Sequence, residues 1–435
     1  MKVLWLINAP TPDLCEAAGL PVQVKEGWIT GLYNSIMESS ERAEDFKLYI
    51  AFPQRKGPQL LTGELNGNQF FGFYKEEDKP YKYSEKVTKR LKDILTQVEP
   101  DVVHIAGTEY DHAYSMICAL GCPEKTVVSI QGLTSVYALH YMADVPFGVR
   151  YGFTFRDLLK LDNLYLDNKK YYKRGAMEIK TIKGVGNIIG RTDWDKAATK
   201  NINPEAEYYH CGEILRKSFY TGERWSYEGC NKHSVFVSQG YYPIKGLHYM
   251  LEALHYIKQF YPDVMLNIGG GVTLNNKGLK ARIKQKRYQK YLSELISQYN
   301  LEGNVYFLPA LSEEEMKKQY LNTNVFISPS SIENSPNSLG EAMLLGVPCV
   351  SSLVGGVANM LVHEKEGYTY QHNAPYMLAH YVMKVFDMCD RDIEAIQVMT
   401  DNANIHASDM FNSAKNANKM LSIYGEIYEK GNSVN

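Results

Sequence analysis

Residues 325–350 read V-F-I-S-P-S-S-I-E-N-S-P-N-S-L-G-E-A-M-L-L-G-V-P-C-V. An apolar strand over Val325–Ser328 runs into a short polar loop carrying Glu333, and the loop opens a helix. Ser335 is expected to cap that helix, with Pro336 in its first turn, where a missing N–H costs nothing. The amides of Asn337 and Ser338 would then point unbonded from the helix N-terminus, a setting that favours an anion such as a diphosphate. Glu341 follows Glu333 with seven residues between them. Two acceptor-only carboxylates beside an anion cradle suit a ligand rich in hydroxyl donors, such as a sugar.

The rest of the chain repeats this strand–loop–helix pattern. In the C-terminal half, Val235–Ser238, Val264–Ile268, Val305–Leu308 and Pro348–Ser352 read as further strands. Leu247, Met250, Leu251, Leu254 and Ile257 fall at the spacing of one helix face. In the N-terminal half the expected strands are Lys2–Asn8, Phe46–Phe52, Asp101–Ala106, Thr126–Gln131 and Gly186–Gly190, with helices beginning near Thr30, Ser84 and Asp111. Strands alternating with helical patterns argue for parallel sheets with crossover helices. Ligands of such sheets bind at the carboxyl ends of the strands.

At 435 residues the chain is too long for one typical core. The expected division is an N-terminal domain over 1–226, a second domain over 227–411 with a hinge near Trp225–Lys232, and a last helix over 412–435. That helix carries apolar Ala414, Ala417, Met420, Leu421, Tyr424 and Ile427. Hydrophobic residues make up 45% and charged residues 22%, which places the chain among folded globular proteins, and a net charge of -2 argues against a general nucleic-acid binder. Seven cysteines without paired metal-ligand spacing suit a reducing cytosol. No apolar run reaches the length of a membrane span.

With the Glu–x7–Glu spacing, the E-A-M-x-x-G-x-P-x-V continuation and the loop Val354-Gly355-Gly356 on the page, the chain resembles the family 4 glycosyltransferases of the GT-B fold. The likeness is strong in the C-terminal half and looser before it. It implies an α/β architecture of two Rossmann-like parallel-sheet domains facing across a cleft, with the last helix returning to the N-terminal domain. The implied activity is retaining transfer of a hexose or N-acetylhexosamine from a UDP- or GDP-sugar, without a metal, onto a glycan or lipid-linked acceptor in surface polysaccharide synthesis. No cofactor is implied beyond the nucleotide sugar, which is the substrate, and no nucleic acid. The setting is the cytoplasm, with peripheral contact at the inner membrane face.

The resemblance also assigns roles. Glu333 would hold the transferred sugar and Glu341 the ribose, while Ser335, Pro336, Asn337, Ser338, Gly240 and Gly270 would line the donor site. Lys245, in Q-G-Y-Y-P-I-K-G-L, falls where the family's phosphate-binding lysine sits. Two departures stand out. The family's arginine five or six residues before that lysine is replaced by Gly240 or Gln239, with Arg191 and Arg216 as candidate substitutes. The family's histidine after the Thr126–Gln131 strand is replaced by Gln131, which can bond a sugar hydroxyl but does not titrate near pH 7. His140 is the nearest histidine in sequence and reads as structural or acceptor-facing. Glu109 is placed to reach the acceptor, and Gly27 belongs to a glycine-containing loop near the diphosphate or acceptor.

Other features read as structural. His104 lies on an expected strand as a core histidine. Asp193-Trp194-Asp195 resembles a metal motif, but Asp193 as a helix cap accounts for it better. The basic stretches Lys169–Lys183 and Lys280–Lys290 read as solvated helix faces, the first a candidate for anionic lipid. The departures motivate one alternative, a non-catalytic partner that binds nucleotide sugar or glycan. A second is a sugar-nucleotide epimerase of the same fold, against which the lack of a titratable group at Gln131 counts.

Overall fold

The computed structural model describes residues 1–21, 27–76, 81–271 and 285–433. The chain divides into two compact units. The first comprises Met1–Ala138, Lys170–Leu215 and Phe411–Asn435, and the second Leu139–Lys169 and Arg216–Met410.

The first unit is built on an eight-stranded sheet. Its strands are β1 (Lys2–Ile7), β2 (Lys47–Gln54), β3 (Leu60–Leu65), β4 (Asn68–Tyr74), β5 (Val102–Ala106), β6 (Thr126–Ser129), β7 (Asn187–Gly190) and β8 (Glu207–His210). Their order is β3-β4-β2-β1-β5-β6-β7-β8, parallel except where β3 pairs antiparallel with β4. Val3, Trp5 and Ile7 of β1 enter one core cluster, with Ile29 and Ile36 of the helix Gly27–Glu38; Leu4 and Leu6 enter another, with Leu91 and Ile94 of the helix Glu85–Val98. A strand buried on both faces must be apolar along its whole length, and W-L-I after K-V-L is that pattern. The helix Ser413–Ser433 belongs to this unit and buries Ala417, Met420, Leu421, Tyr424 and Ile427 in its core, whereas Ala414 is exposed.

Strands β3 and β4 were not expected from the sequence. They meet at Asn66-Gly67, with φ 50° and 79°. A two-residue turn with both φ positive matches the twist of the flanking strands, and Asn-Gly is its strongest sequence signal.

The second unit holds six parallel strands: β9 (Asn231–Val237), β10 (Met265–Ile268), β11 (Val305–Phe307), β12 (Thr323–Ser328), β13 (Cys349–Ser352) and β14 (Tyr368–Tyr370). Their order is β11-β10-β9-β12-β13-β14. The chain builds outward from β9 in one direction, then returns to β9 and builds the other way. That reversal, between β9 and β12, is where an open parallel sheet leaves a crevice beyond its strand ends. Leu247, Met250, Leu251, Leu254 and Ile257 are buried on the helix Leu247–Lys258, as their spacing predicts.

The division between the units differs from the expected one. It falls at Leu215/Arg216, and Leu139–Lys169 goes with the second unit. The polar groups of that segment explain this: the Thr154 hydroxyl donates to the Gln285 carbonyl at 2.8 Å, and His248 Nε2 meets the Ala143 carbonyl at 2.8 Å. Among the described residues, no helix is long and apolar enough to cross a membrane.

Candidate active site

At the β9/β12 reversal of the second unit, two loops are locked back to back. The loop after β9 makes a tight turn over Pro243–Lys245 and ends at Gly246, φ 69°. A Cβ on Gly246 would lie 1.8 Å from the Pro329 carbonyl oxygen, so glycine is what lets the loop after β12 approach this closely. The Ser331 amide completes the join by donating to the Ile244 carbonyl at 2.8 Å.

This join brings Lys245 to Glu333. Lys245 Nζ lies 2.5 Å from Glu333 Oε1, which also accepts from the Ser330 hydroxyl at 2.7 Å. Glu333 is buried, and its own carbonyl accepts from the Gly356 amide at 3.1 Å. Gly355, φ 51°, presses on the same carbonyl, where an added Cβ would stand 1.8 Å away. The double glycine of the Val354-Gly355-Gly356 loop therefore holds the backbone of Glu333 from behind.

The helix after this loop runs over Asn337–Leu345 and starts one residue later than expected. Pro336 is the cap, with extended ψ 114° and a carbonyl that accepts from the amides of Leu339 and Gly340 at 3.0 and 3.2 Å. Ser335 is not the cap, and no side chain caps the helix. The reason is local: proline's fixed φ suits the half-helical cap position as well as the first turn, and its carbonyl takes the first helical bonds. Asn337 and Ser338 still open the helix, where leading amides have no intrahelical partner.

Glu341 lies one turn further along the helix, buried, and both its oxygens are taken. Arg216 Nε donates to Oε1 at 2.8 Å and Nη2 to Oε2 at 2.7 Å, and the Tyr320 hydroxyl meets Oε2 at 3.4 Å. Burial raises the Glu341 pKa, and Arg216 opposes that rise. Arg216, a candidate from sequence, is thus the guanidinium that the fold sets beside this helix. Arg191 belongs to the other unit.

The two other glycines expected to line a donor site pack the strand ends. Gly270, φ 87°, sits against Gln239, whose Cβ would be 3.2 Å from an added methyl. At Gly240 an added Cβ would lie 2.4 Å from Leu247 Cδ2, so a side chain there requires Leu247 to shift. His140 is exposed and falls in the same unit as Glu333. Its carbonyl accepts from the Ser331 hydroxyl at 3.4 Å, while burial, followed by His372, lowers its imidazole pKa.

The first unit has its own reversal, between β1 and β5. Glu109, after β5, accepts from Asn8 Nδ2, after β1, at 3.2 Å. Burial raises the Glu109 pKa, against the pull of Arg174. Gly27 opens the helix Gly27–Glu38, which follows β1. Gln131 follows β6 and is held by Arg191, whose Nη2 donates to its carbonyl at 3.1 Å and to its Oε1 at 3.3 Å. Arg191 also pairs with Glu213, and burial lowers the guanidinium pKa.

Glu178 was not singled out from sequence. It is fully buried and accepts from the amides of Thr134 and Ser135, each at 2.9 Å, and from the hydroxyls of Ser135 and Thr108 at 2.6 and 3.1 Å. Burial pushes its carboxyl up to about 7 despite these donors. It fastens the loop after β5 to the helix after β6, so it positions the segments that carry Glu109 and Gln131. Its position beside Met177, Thr181 and Ile182, on the narrow buried stripe of the otherwise charged helix Leu164–Lys183, was its sequence signal.

Two motifs prove structural. His104 is buried between the Tyr424 hydroxyl at 2.6 Å and the Ser129 hydroxyl at 2.7 Å. In Asp193-Trp194-Asp195, the cap is Thr192 rather than Asp193: the Thr192 hydroxyl accepts from the Asp195 amide at 3.2 Å. Asp195 itself accepts from the Arg191 amide at 2.9 Å and the Tyr208 hydroxyl at 2.6 Å.

Two Rossmann-like parallel-sheet units, one with a lysine–glutamate pair and open helix amides at its strand-order reversal, define the GT-B class. Residues 230–401 match the family of glycosyl transferases group 1. The chain is 26% identical over 219 residues to YtcC of Bacillus subtilis (strain 168), whose name classes it with glycosyltransferases; the match covers 50% of each chain. It therefore spans about half the length of that curated relative. The fold is shared across nearly the whole chain with sucrose-phosphate synthase from Thermosynechococcus elongatus (TM-score 0.70, 13% identity, 99% of this chain and 100% of that one). It is likewise shared with Anabaena Alr3699/HepE in complex with UDP (TM-score 0.64, 14% identity, 98% and 100%).

Proposed function

We propose that this chain is a retaining, metal-independent glycosyltransferase of family 4. It transfers a hexose or N-acetylhexosamine from a UDP- or GDP-sugar to a glycan or lipid-linked acceptor in surface polysaccharide synthesis, on the cytoplasmic side of a membrane. The observation that carries this reading is the Lys245–Glu333 pair, 2.5 Å apart, beside the N-terminus of the helix Asn337–Leu345.

Glycosyl transfer leaves growing negative charge on the departing diphosphate. Fixed cations and oriented amides stabilise such charge without reorganising during the reaction. Lys245 and the amides of Asn337 and Ser338 supply that stabilisation, and Arg216 adds positive charge where the family's arginine is absent. Glu333, held from behind by Gly355 and Gly356, hydrogen-bonds the transferred sugar. Glu341 takes the ribose hydroxyls through Oε1, which among the described residues accepts from Arg216 alone, whereas Oε2 also meets the Tyr320 hydroxyl. In the first unit, Gln131 is a candidate catalytic residue that can bond a sugar hydroxyl, and Glu109 and Gly27 are acceptor or cleft candidates; His140 is one in the second.

The test is thermal denaturation with UDP, GDP, ADP and CMP, each with and without magnesium. A ligand of the folded state raises the midpoint by mass action. The reading expects a rise with UDP or GDP that magnesium does not change. No rise with any nucleotide, or one that requires magnesium, overturns it.

A further inference from the structure

The segment Leu139–Lys169 buries Tyr141, Val145, Val149 and Leu164, but it turns most of its acids inward and leaves a set of large apolar side chains exposed. Asp157 is fully buried and accepts from the Arg287 amide at 2.8 Å and from Arg156 at 3.1 Å. Asp162 is gripped by both arms of Arg156, at 2.8 and 2.9 Å, and Asp167 accepts from Lys286 at 3.3 Å. Asn163 donates to the Tyr151 carbonyl at 3.3 Å. On the other side, Phe147, Phe155, Leu158, Leu159 and Leu161 are 77%, 62%, 60%, 70% and 64% exposed, and Phe153 is exposed with them.

This is the reverse of an ordinary water-facing surface, where large apolar side chains are exposed singly and polar ones cover the outside. Aromatic rings continue the face: Phe147 and Tyr151 lie 4.7 Å apart and Tyr151 and Tyr165 5.2 Å apart, and Lys169 Nζ stands 4.4 Å from the Tyr165 ring. Of the four acids in the segment, only Asp144 is exposed, whereas Lys160 and Lys169 both reach solvent. Among the exposed charges of the segment, lysine therefore outweighs aspartate, and the apolar face carries a positive excess. A twofold contact with a second copy would set like charges together. An anionic lipid surface supplies the opposite charge, with an apolar layer just beneath it.

We propose that Phe147–Lys169 is a docking face for an anionic bilayer. Phe147, Phe155, Leu158 and Leu159 enter the acyl boundary, and Lys160 and Lys169 keep their ammonium groups among the headgroup phosphates. The face shares only Lys169 with the basic stretch Lys169–Lys183 singled out in the sequence; part of the other stretch, 280–284, lies outside the described residues. The proposal goes beyond the transferase reading and is tested without donor or acceptor.

The experiment is flotation of the full chain with phosphatidylcholine vesicles, with and without phosphatidylglycerol, alongside light scattering for oligomeric state. We expect binding that needs phosphatidylglycerol and falls at least tenfold in Phe155→Asp/Leu159→Asp, with the thermal midpoint and the nucleotide-induced shift unchanged. Lys160→Glu/Lys169→Glu should weaken binding several-fold with the apolar face intact. Wild-type protein that stays unbound, or an aspartate variant that binds equally well, overturns the proposal. So does a dimer lost in the aspartate variant without any vesicle binding, which would give the face to a second copy. A nucleotide shift without vesicle binding sinks this proposal alone; vesicle binding without a nucleotide shift sinks only the transferase reading.

Discussion

Arg216 and Glu341, 125 positions apart in sequence, form a two-pronged ion pair at 2.8 and 2.7 Å. The carboxylate is buried while the guanidinium keeps about a quarter of its surface in solvent. Removing one partner of such a pair leaves an uncompensated buried charge, whereas replacing both costs far less. Arg216→Met should lower unfolding free energy by about 3 kcal/mol, and Arg216→Met/Glu341→Gln should recover most of that. Urea unfolding of the three proteins measures both values. A single variant as stable as wild type would mean the pair is not closed in solution.

Lys245 is assigned to the leaving diphosphate rather than to folding. Lys245→Met should reduce kcat/KM for the donor by about 100- to 1000-fold, the loss seen when one transition-state charge stabiliser is removed. Steady-state kinetics beside a thermal melt separates this from unfolding. A large fall in melting temperature with turnover per folded molecule unchanged would move Lys245 to a structural role.

Gly355 offers a backbone test of the same site. Its φ of 51° and its 1.8 Å clearance to the Glu333 carbonyl forbid a methyl group. Gly355→Ala should destabilise by more than about 1 kcal/mol and lower donor turnover, because Glu333 must move. Gly303→Ala, where a methyl meets nothing within 4 Å, should stay within about 0.5 kcal/mol of wild type. Equal stability of the two variants would contradict the bracing role of Gly355.

Acid sensitivity should come partly from His104. Burial holds its pKa down to about 3, against an ordinary value of 6.5. Between those values the unfolded chain binds a proton that the folded chain does not, so stability falls as pH falls, by up to about 1.4 kcal/mol per pH unit. Above pH 7 the term vanishes. His104→Gln removes the titration, so wild type should lose about 2 kcal/mol more than the variant between pH 7 and pH 5. Urea titrations at the two pH values check this, and equal losses would exclude His104 as the source.

The parts of the fold legible in the sequence were those with local periodicity. Buried parallel strands such as β1 and β12 read as continuous apolar runs, and the helix Leu247–Lys258 announced its face. Glu333 and the helix of Asn337 can be placed at one strand end from sequence because strand, loop and helix start lie together in the chain. What depended on distant partners was not legible. Nothing near Arg216 points to Glu341, and nothing near Thr154 points to Gln285, so the allegiance of Leu139–Lys169 was missed. Two misses were local. The Asn66-Gly67 turn was readable and passed over, and Pro336 displaced Ser335 as cap because proline satisfies both neighbouring positions.

The central claim is that the second unit binds a nucleotide sugar so that its bond to the diphosphate breaks, with Glu333 on the sugar. The most direct measurement is release of UDP or GDP from the corresponding sugar nucleotides by wild type and by Glu333→Gln, with nucleotide binding followed in parallel. The account predicts turnover by wild type and loss of at least a hundredfold in the variant, with nucleotide affinity retained. Nucleotide binding without turnover in wild type across donors and glycan or lipid-linked acceptors, or full turnover in Glu333→Gln, would contradict it.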